Sequence, residues 1–305
     1  MATRQFDDLS LGSLELFCLT AELESFTAAA AATGLTPPAV SRTVARLEAK
    51  LGARLLARTT RRVRLTESGR AYHAQCRQAL AQLGDAARLL GGEQAQPAGT
   101  VRISLPTSYG HHRVLPLLAD FRRLHPGIQL DLQLSNRNVD LIGDSFDLAV
   151  RGRTPPDSGL VARKLEDAEL IIVGSPRYLR RQGKPRDAAA LAEHECIHFV
   201  LPRTGQVVPW LLTIDGQVVE RTLPGAIRCA DDILGPVTLA RHDAGLVQTY
   251  RFIVERDLAD GTLREVLPQC AGASRPFSLL YPAQRHMPAR VRVVIDFLVE
   301  RLAPR

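Results

Sequence analysis

Nine basic residues lie close together between Val40 and Arg70, and side chains of this type could bind a polyanion. They are Arg42, Arg46, Lys50, Arg54, Arg58, Arg61, Arg62, Arg64 and Arg70. The acids of the same window are Glu48 and Glu67, so its charge is 9 − 2 = +7, which equals the net charge of the whole chain. A solvated basic face is the simpler explanation. Because the rest of the chain is balanced, the concentration of charge favours a binding surface for nucleic acid.

Two histidines, His194 and His198, stand four residues apart with Cys196 between them, and on a helix such a pair could hold a metal ion. The segment CIHFV reads as a strand, however, and positions i and i+4 of a strand lie about 13 Å apart. We therefore predict no metal site. The chain also lacks the GxSxG, HExxH, P-loop and Rossmann fingerprints, so the sequence indicates neither catalytic residues nor a cofactor.

Length and composition are those of a globular protein. The chain has 305 residues, enough for about two domains at roughly 150 residues each. Its five cysteines are scattered and form no C-x-x-C pair, which favours reduced thiols over disulfides. The N-terminus MATRQFDDLS lacks the apolar segment of a signal peptide, and no apolar run approaches the ~18 residues of a membrane span. These features predict a soluble cytoplasmic protein with no membrane partner.

The basic window begins in the third of three predicted helices, and the second and third of these are short. An apolar repeat at i, i+3, i+4 and i+7, starting at Leu14, predicts the first helix over about 12–24. Thr27 precedes a run of alanines and is predicted to cap the next helix, which ends at Gly34. The third helix is predicted to begin at TPP, because proline is tolerated in a first turn, and to end at Gly52. Two short helices joined by a glycine-containing turn predict a helix-turn-helix.

The exposed start of the third helix is the part of such a motif that enters the major groove. Downstream, ARLLARTTRRVRLT predicts two short β runs that form a basic wing. Small three-helix domains also carry basic faces for other reasons. On the DNA-binding interpretation, the candidate contact residues are Thr27, Thr36, Pro37, Pro38, Ser41, Arg42 and Arg46 on the helices, and Arg58, Arg61 and Arg62 in the wing.

A long helix is predicted over about 67–91, with Thr66 as its cap. Its apolar positions step by four and three residues, which is the pattern of a coiled-coil seam. The seam residues are Tyr72, Cys76, Ala79, Leu83, Ala86 and Leu90. Packing within its own domain is the alternative, but we favour a dimer helix, because dimeric readers place two helices in successive major grooves. A packed Cys76 is favoured over a redox switch at the same position.

After a Gly/Pro/Gln-rich hinge at 91–99, strands alternate with helices. Strands are predicted at VRISL, IQLDLQL, FDLAVR, ELIIVG, AIRCA, GLVQT and FSLLYP, a hairpin at TIDGQVV, and helices over 114–124 and near the C-terminus. This alternation predicts α/β architecture with largely parallel sheets.

Residues 11–70 resemble the N-terminal domain of the LysR-type transcriptional regulators. The resemblance rests on LELFCLTAELESFTAAA, LTPPAVSRTVARLEAKLGARLLART and VRLTESG in this order and spacing. It continues through HPGIQLDLQLS, DLIGDSFDLAVR, GLVARKL, ELIIVGSPRYL, VERDLADGTLREVLP and the closing SLLYPAQRHMPARVRVVIDFLVE, so it covers essentially the whole chain. The segment PTSYG is similar to one branch of the family. One departure is Pro37, which cannot hydrogen-bond a base where many members carry a polar side chain, but could touch a thymine methyl.

The resemblance implies an all-α winged helix-turn-helix domain with a linker helix, followed by an α/β effector domain of the two-subdomain periplasmic-binding-protein type. The expected boundaries are 1–66 for DNA binding, 67–92 for the linker helix, 93–99 for the hinge and 100–305 for the effector domain, with subdomain I at 100–170 and 275–305 and subdomain II at 171–270. The expected partners are double-stranded DNA with two half-sites, a small-molecule effector and further copies of the chain. The seam supports a homodimer, and the resemblance favours a homotetramer.

An effector is expected beyond the carboxyl ends of the strands, where open α/β sheets bind ligands. VRISL runs into Thr107, Ser108 and Tyr109 just before a helix, where hydroxyls and free N–H groups suit an anion. Ser135 and Arg151 end neighbouring strands and are predicted to face the same cleft. Plain helix capping and structural pairing of Arg151 are the alternatives. Weaker candidates from the second subdomain are Phe199, Val200 and Asp231.

Two other classes of protein are compatible with the second half of the sequence. A transport-type binding protein would share the second half, but this chain carries a DNA reader and no signal peptide. An enzyme could use the same cleft, yet no nucleophile–base set stands out, so we predict a regulator that is not an enzyme.

Overall fold

The structure is a computed structural model, in which the chain divides into two compact units. It describes residues 10–58, 63–90, 96–137, 140–141, 143–144, 146–152, 159–201, 204–283 and 287–303. The first unit comprises residues 1–97 with the segments 140–146 and 286–289, and the second comprises the remainder. Within the described ranges, no helix combines the length and the apolar character that crossing a bilayer requires.

The first unit contains the predicted helix-turn-helix. Its elements are α1 (Leu11–Glu22), α2 (Phe26–Thr33), α3 (Pro37–Leu51), β1 (Leu56–Arg58), β2 (Val63–Leu65) and α4 (Glu67–Leu90). The two short strands pair antiparallel, as the wing prediction required. Gly34 and Gly52 end α2 and α3 in the left-handed conformation, with φ of 69° and 64°, which a side chain would disfavour.

The caps differ in part from the predictions. Ser25, and not Thr27, caps α2: its hydroxyl accepts a hydrogen bond from the Ala28 N–H at 3.2 Å. The helix therefore begins one residue before Thr27, which lies exposed in the first turn. Thr36 occupies the cap position of α3 without a side-chain hydrogen bond. Thr66 caps α4 as predicted, since its hydroxyl accepts from the Gly69 N–H at 2.9 Å.

One apolar core joins α1, α3, the wing strands and the beginning of α4. Its buried members are Phe17, Cys18, Val44, Leu47, Leu55, Leu56, Val63 and Cys76. Tyr72 packs against the same core, so the first two seam residues of α4 contact their own unit, as the alternative interpretation held. Ala79 and Leu83 are exposed, Leu83 to 50%. The side chains of Ala86 and Leu90 lie outside the described residues.

The second unit has α/β architecture. Its strands are β3 (Gly99–Leu105), β4 (Ile128–Leu134), β5 (Leu148–Arg151), β6 (Leu160–Gly174), β7 (Cys196–Val200), β8 (Trp210–Ile214), β9 (Gln217–Arg221), β10 (Arg228–Ala230), β11 (Leu246–Tyr250), β12 (Arg264–Val266) and β13 (Ser274–Pro282). Its α-helices are α5 (Thr107–Tyr109), α6 (Leu118–Leu124), α7 (Pro176–Gln182), α8 (Leu234–Arg241), α9 (Arg251–Asp260) and α10 (Ala289–Leu302).

The main sheet is mixed, and the prediction of largely parallel pairing was wrong for its centre. The strand order is β10-β7-β11-β6-β13-β5-β3-β4, with β12 also paired to β6. Pairing is parallel in β4-β3-β5 and in β10-β7-β11, but antiparallel wherever β6 or β13 takes part. The predicted short strand ELIIVG is the end of the 15-residue β6, which pairs with β13 through 160–169 and with β11 through 170–173.

The helical segment after β3 begins at Thr107, seven residues earlier than predicted. It runs through α5, a π-helical turn at Gly110–Val114 and a 3-10 turn at Leu115–Leu117 into α6. A Cβ at Gly110 would lie 3.2 Å from the Leu134 side chain, so a larger residue here would need that side chain to move by a few tenths of an ångström. The hairpin of β8 and β9 was predicted correctly, and Asp215 and Gly216 turn it with positive φ of 50° and 75°.

Candidate functional site

The start of α3 presents its polar side chains to solvent. Val40, Val44 and Leu47 are buried and fix the inner face of the helix. Because positions three and four apart share a face, the residues between them must point outward. The exposed residues of this face are Thr36, Pro37, Pro38, Arg42 and Arg46, and Ser41 is half-buried. The sequence-predicted contact residues of α3 are therefore all at least partly accessible to a ligand.

Glu48, an acidic residue of α3 within the basic window, binds the backbone at the start of the wing. The Glu48 carboxylate accepts hydrogen bonds from the Leu55 N–H at 2.8 Å and the Leu56 N–H at 2.9 Å. A charged acceptor shared by two backbone donors is a strong local link. Gly69 at the start of α4 lies so close to the same chain segment that a Cβ would be 1.9 Å from the Leu55 carbonyl oxygen. These contacts position β1 and the wing relative to α3.

The wing residues are only partly within the described residues. The Arg58 backbone pairs with Val63 in the wing ladder, and its side chain lies outside what the structure describes. Arg61 and Arg62 lie outside the described residues altogether. Thr27 is exposed in the first turn of α2, where its side chain is accessible to a ligand.

In the second unit, polar groups at or just after the ends of β3, β4, β5 and β10 lie close together. We call Ser104, Thr107, Asn136, Arg151 and Asp231 the strand-end cluster. The Arg151 guanidinium donates to the Ser104 hydroxyl at 2.8 Å and to the Val150 carbonyl at 2.6 Å. Longer bonds of 3.3 Å reach the carbonyls of Ser104 and Arg137. All these acceptors are neutral.

Arg151 is consequently a cation that is half-buried without a compensating carboxylate among the described residues. Burial lowers the pKa of Arg151 to about 10, because desolvation disfavours its charged form. A bound anion would offset this desolvation, since an opposite charge favours the ionised form of its partner. The geometry thus suits a carboxylate or a similar small anion.

Asn136 links the two sides of the strand-end cluster. Its amide oxygen accepts from the Thr107 N–H at 3.0 Å, and its amide nitrogen donates to the Asp231 carbonyl oxygen at 2.5 Å. Asp231 follows β10 and has a positive φ of 64°. The Asn136 side chain therefore binds the Thr107 N–H, a hydrogen-bond donor at the start of the helical segment that would otherwise be available to a ligand.

Tyr109 is not brought to the strand-end cluster. Its side chain is fully buried, and its ring stacks on Phe277 at 4.3 Å between centroids and meets Phe252 edge-on at 5.8 Å. Burial and the nearby Glu166 carboxylate raise the pKa of Tyr109. Its role is therefore in the aromatic packing around β13 and α9.

The other predicted effector residues lie near the strand-end cluster, some beside its members and one further away. The Ser135 N–H donates to the Leu105 carbonyl at 2.8 Å, which places this residue beside the end of β3. Ser108 is buried next to Thr107. Phe199 and Val200 are half-buried on β7, and Val200 pairs with Ala230, the neighbour of Asp231. Ser108, Ser135 and Val200 thus flank the cluster, and Phe199 lies one position further back.

The predicted strand at CIHFV is present as β7, so His194 and His198 do not share a helix face. The His194 ring nitrogen Nδ1 lies 3.1 Å from the Tyr178 hydroxyl, whereas His198 packs beside Trp210 at 6.3 Å between centroids. Among the described residues, no group of three or more His, Cys, Asp and Glu side chains is placed to hold a metal ion.

Comparison with known proteins decides the family. Residues 11–70 match the family described as "Bacterial regulatory helix-turn-helix protein, lysR family", and residues 94–303 match "LysR substrate binding domain". The chain is a LysR-type transcriptional regulator. The predicted order of a helix-turn-helix region and an α/β effector domain is thereby confirmed.

Similar regulators match along nearly the whole chain. An HTH-type transcriptional regulator of Xanthomonas campestris pv. campestris is 36% identical over 289 residues, which span 94% of this chain and 84% of that protein. PtxR of Pseudomonas aeruginosa is 35% identical over 302 residues, which span 99% and 96%. The structure of CrgA, a LysR-type regulator from Neisseria meningitidis, superposes with a TM-score of 0.62 at 32% identity, covering 96% of this chain and 99% of that one. These relatives regulate transcription, and this LysR-type regulator is not an enzyme.

Sequence reasoning missed two members of the strand-end cluster in this regulator, Ser104 and Asn136. Ser104 is a polar residue inside the apolar strand VRISL and is completely buried, so its partner must lie across the sheet. That partner is Arg151, 47 positions away. A polar residue in an otherwise apolar strand was the available signal. Asn136 directly follows the predicted Ser135, and only its contact with Asp231, 95 positions away, reveals its role.

Proposed function

We propose that this LysR-type regulator reads a DNA operator with two half-sites and is controlled by a small anionic effector at the strand-end cluster. The observation that carries the effector proposal is the half-buried Arg151 guanidinium, whose hydrogen-bond acceptors among the described residues are all neutral. The observation that carries the reading proposal is the exposed start of α3.

For DNA reading, Ser41 and Arg42 are the base-contacting residues, with Thr36 beside them and Pro37 against a thymine methyl. An arginine can pair two hydrogen bonds with a guanine in the major groove, whereas proline has no donor to offer. Thr27, Pro38, Arg46 and the wing residues Arg58, Arg61 and Arg62 contact the DNA backbone or the minor groove. Such contacts raise affinity for all sequences and make binding dependent on salt.

For effector binding, Arg151 holds the anion, while Thr107, Ser108 and Ser135 supply hydrogen bonds from the start of the helical segment and the end of β4. Tyr109 supports this wall from behind through its stacking on Phe277. Asp231, with Phe199 and Val200 behind it, closes the opposite side. The two sides correspond to subdomain I at 100–170 and 275–305 and subdomain II at 171–270.

Asn136 provides the step by which an effector changes the protein. It bridges Thr107 and Asp231, so an anion that takes the Thr107 N–H displaces one end of this bridge. An effector shifts an equilibrium only by its difference in affinity for the two arrangements. In a homodimer joined through α4, and in a homotetramer of two dimers, that shift alters the spacing of the DNA-reading heads. As a DNA-binding regulator, the protein works in the cytoplasm.

The first experiment measures binding of the purified protein to the DNA upstream of its own gene at two salt concentrations. We expect a footprint with two half-sites, and a loss of affinity on the order of 10³-fold between 50 and 200 mM salt if some six phosphates are contacted. Weak binding without a preferred site would remove the reading proposal for this DNA.

The same preparation then tests the effector proposal. Small mono- and dicarboxylates are titrated while the melting temperature is followed, because a ligand that binds the folded state raises it. An anion that stabilises the wild type but not Arg151→Met supports the strand-end cluster. An anion that stabilises both proteins equally would place its site elsewhere.

A further inference from the structure

A second concentration of positive charge lies on the second unit, at and just after α7. Its basic residues are Arg177, Arg180, Arg181, Lys184 and Arg186, and the segment 176–186 contains no acid, so its charge is +5. Acids elsewhere cancel this charge in the total, which is why the net charge of the chain gives no sign of it. We call these five side chains the α7 basic surface.

The packing of α7 forces these side chains outward. Tyr178 and Leu179 are buried in an apolar core with Leu191 and Trp210, and Pro185 is buried where the chain leaves the helix. The five basic residues are all exposed. Since the rise of a helix is about 1.5 Å per residue, Arg177 and Arg181 are separated by only about 6 Å along the axis.

Two of the five are held by neighbouring groups, and three are not. The Arg177 guanidinium lies 3.3 Å from an Asp243 carboxylate oxygen, and Arg181 stacks over Tyr178 and donates to the Asp243 carbonyl at 3.1 Å. For Arg180, Lys184 and Arg186, the structure shows no ion pair with any described acid. These three cations are therefore exposed and uncompensated.

We propose that the three uncompensated cations of the α7 basic surface, Arg180, Lys184 and Arg186, form a second contact for duplex DNA, separate from the helix-turn-helix. The surface offers several uncompensated cations at short spacing, and a duplex carries one negative charge per about 3.4 Å of each strand. The proposal rests on the DNA binding of the regulator, which brings a polyanion to the molecule.

The composition of the surface favours DNA over an acidic protein. Protein interfaces are typically centred on aromatic and apolar residues and depleted in lysine. None of the exposed large hydrophobic side chains found among the described residues falls within 176–186. A contact of this kind positions the duplex through its phosphates and reads no bases.

The test compares full-length variants on an operator duplex with long flanking sequences, with affinity measured over a series of salt concentrations. The variant is Arg180→Gln, Lys184→Gln and Arg186→Gln together. We expect weaker binding and a salt slope that is shallower by about 0.9 for each phosphate that the variant no longer neutralises, or about 2.7 for all three. Melting curves check that the exposed substitutions leave the fold intact.

Two controls separate a contact from a general effect of charge. The variant Arg228→Gln, Arg256→Gln and Arg292→Gln removes three exposed charges from β10, α9 and α10. Arg177→Gln removes one charge that Asp243 already neutralises. We expect both controls to keep the wild-type slope. An α7 triple variant with a wild-type slope, or the same decrease in slope in both triple variants, would overturn the proposal.

The outcome is independent of operator recognition. If the wild type shows no preferred site, the salt slope on any duplex still tests the α7 basic surface. If the surface instead binds an acidic protein, the slope of the α7 variant stays unchanged, which counts against DNA.

Discussion

At the start of α3 the candidate DNA contacts project into solvent, whereas at the strand-end cluster most members are buried or half-buried and are hydrogen-bonded to one another. Arg42 is exposed. Arg151 is half-buried, and its environment is the carbonyl groups and hydroxyl of its own sheet. In the proposed function, the same side-chain type would serve two different recognition problems in one chain.

The difference follows from what each ligand brings. DNA is a rigid polyanion whose grooves accept a helix, so the protein needs only to hold α3 firmly from behind. A small anion has no such shape, and its recognition depends on removing water and supplying donors at fixed positions. We therefore expect the specificity of DNA reading to depend on the positions of exposed side chains, and that of the strand-end cluster to depend on its hydrogen-bond network.

The largest effect is expected from Leu47→Ala, which removes the support behind α3. Leu47 is buried in the core of the first unit, so the truncation should lower the free energy of unfolding of this unit by roughly 2–5 kcal/mol. Denaturant unfolding followed by DNA binding measures the decrease. Leu23→Ala, at a side chain that is 42% exposed, is the matched control. If anion binding weakened as much as DNA binding, the two regions would not be separable.

Next comes Arg151→Met, which removes the cation of the strand-end cluster. Hydrogen bonds to a charged group contribute roughly 1.5–3 kcal/mol, so anion affinity should fall by about ten- to hundredfold. Titration calorimetry with the stabilising carboxylate measures this change, and DNA affinity without effector should stay the same. Arg151→Lys keeps the charge but loses the planar guanidinium group, so its anion affinity should lie between those of the wild type and Arg151→Met. Equal anion affinity in all three proteins would contradict an arginine-centred site.

A similar or smaller effect is expected from Arg42→Ala at the exposed end of α3. A bidentate base contact is worth roughly 1–3 kcal/mol, and its removal should relax specificity at one base pair of each half-site. Competition binding with single-base operator variants measures it. Arg42→Lys retains the charge and should recover non-specific affinity but not the base preference. A wild-type preference in Arg42→Ala would remove this residue from the reading set.

The smallest effect is expected from Asn136→Ala, which opens the bridge between Thr107 and Asp231. The substitution frees the Thr107 N–H for the anion, so affinity should rise by roughly 0.5–1.5 kcal/mol, the usual net contribution of a hydrogen bond. Asn136→Asp keeps an acceptor at Thr107 and adds a negative charge, so it should weaken anion binding. Weaker binding in Asn136→Ala would show that the amide itself contacts the effector.

The sequence was a good guide wherever a structure depends on near neighbours. The apolar stripe from Val40 to Leu51, the prolines of the first turn and the left-handed glycines placed α3 within a residue of its observed bounds. The cap of α2 was misplaced because Ser25 and Thr27 are chemically similar, and the choice between them depends on where the first turn closes.

Prediction failed where pairing partners are far apart in the chain. The first part of β6, LVARKLED, has exposed positions and polar residues, and it is a strand because β13 pairs with it from more than a hundred positions away. The apolar seam on α4 was also only partly interpreted correctly, because part of it packs within its own unit. Tyr72 and Cys76 meet the core of their own unit, and a periodic pattern cannot tell such contacts from those of a dimer.

By itself the sequence determined the helix-turn-helix, the α/β class of the second half, the family, and the location of the strand ends where a ligand could bind. Those features follow from local spacing, turn chemistry and motif order, which are properties of the sequence that do not depend on contacts between distant residues. Only the tertiary structure decided that Arg151 faces neutral groups, that Tyr109 turns inward and that Asn136 spans the strand-end cluster. These properties depend on which distant residues share a small volume, and burial and hydrogen bonding exist only once the sheet has formed.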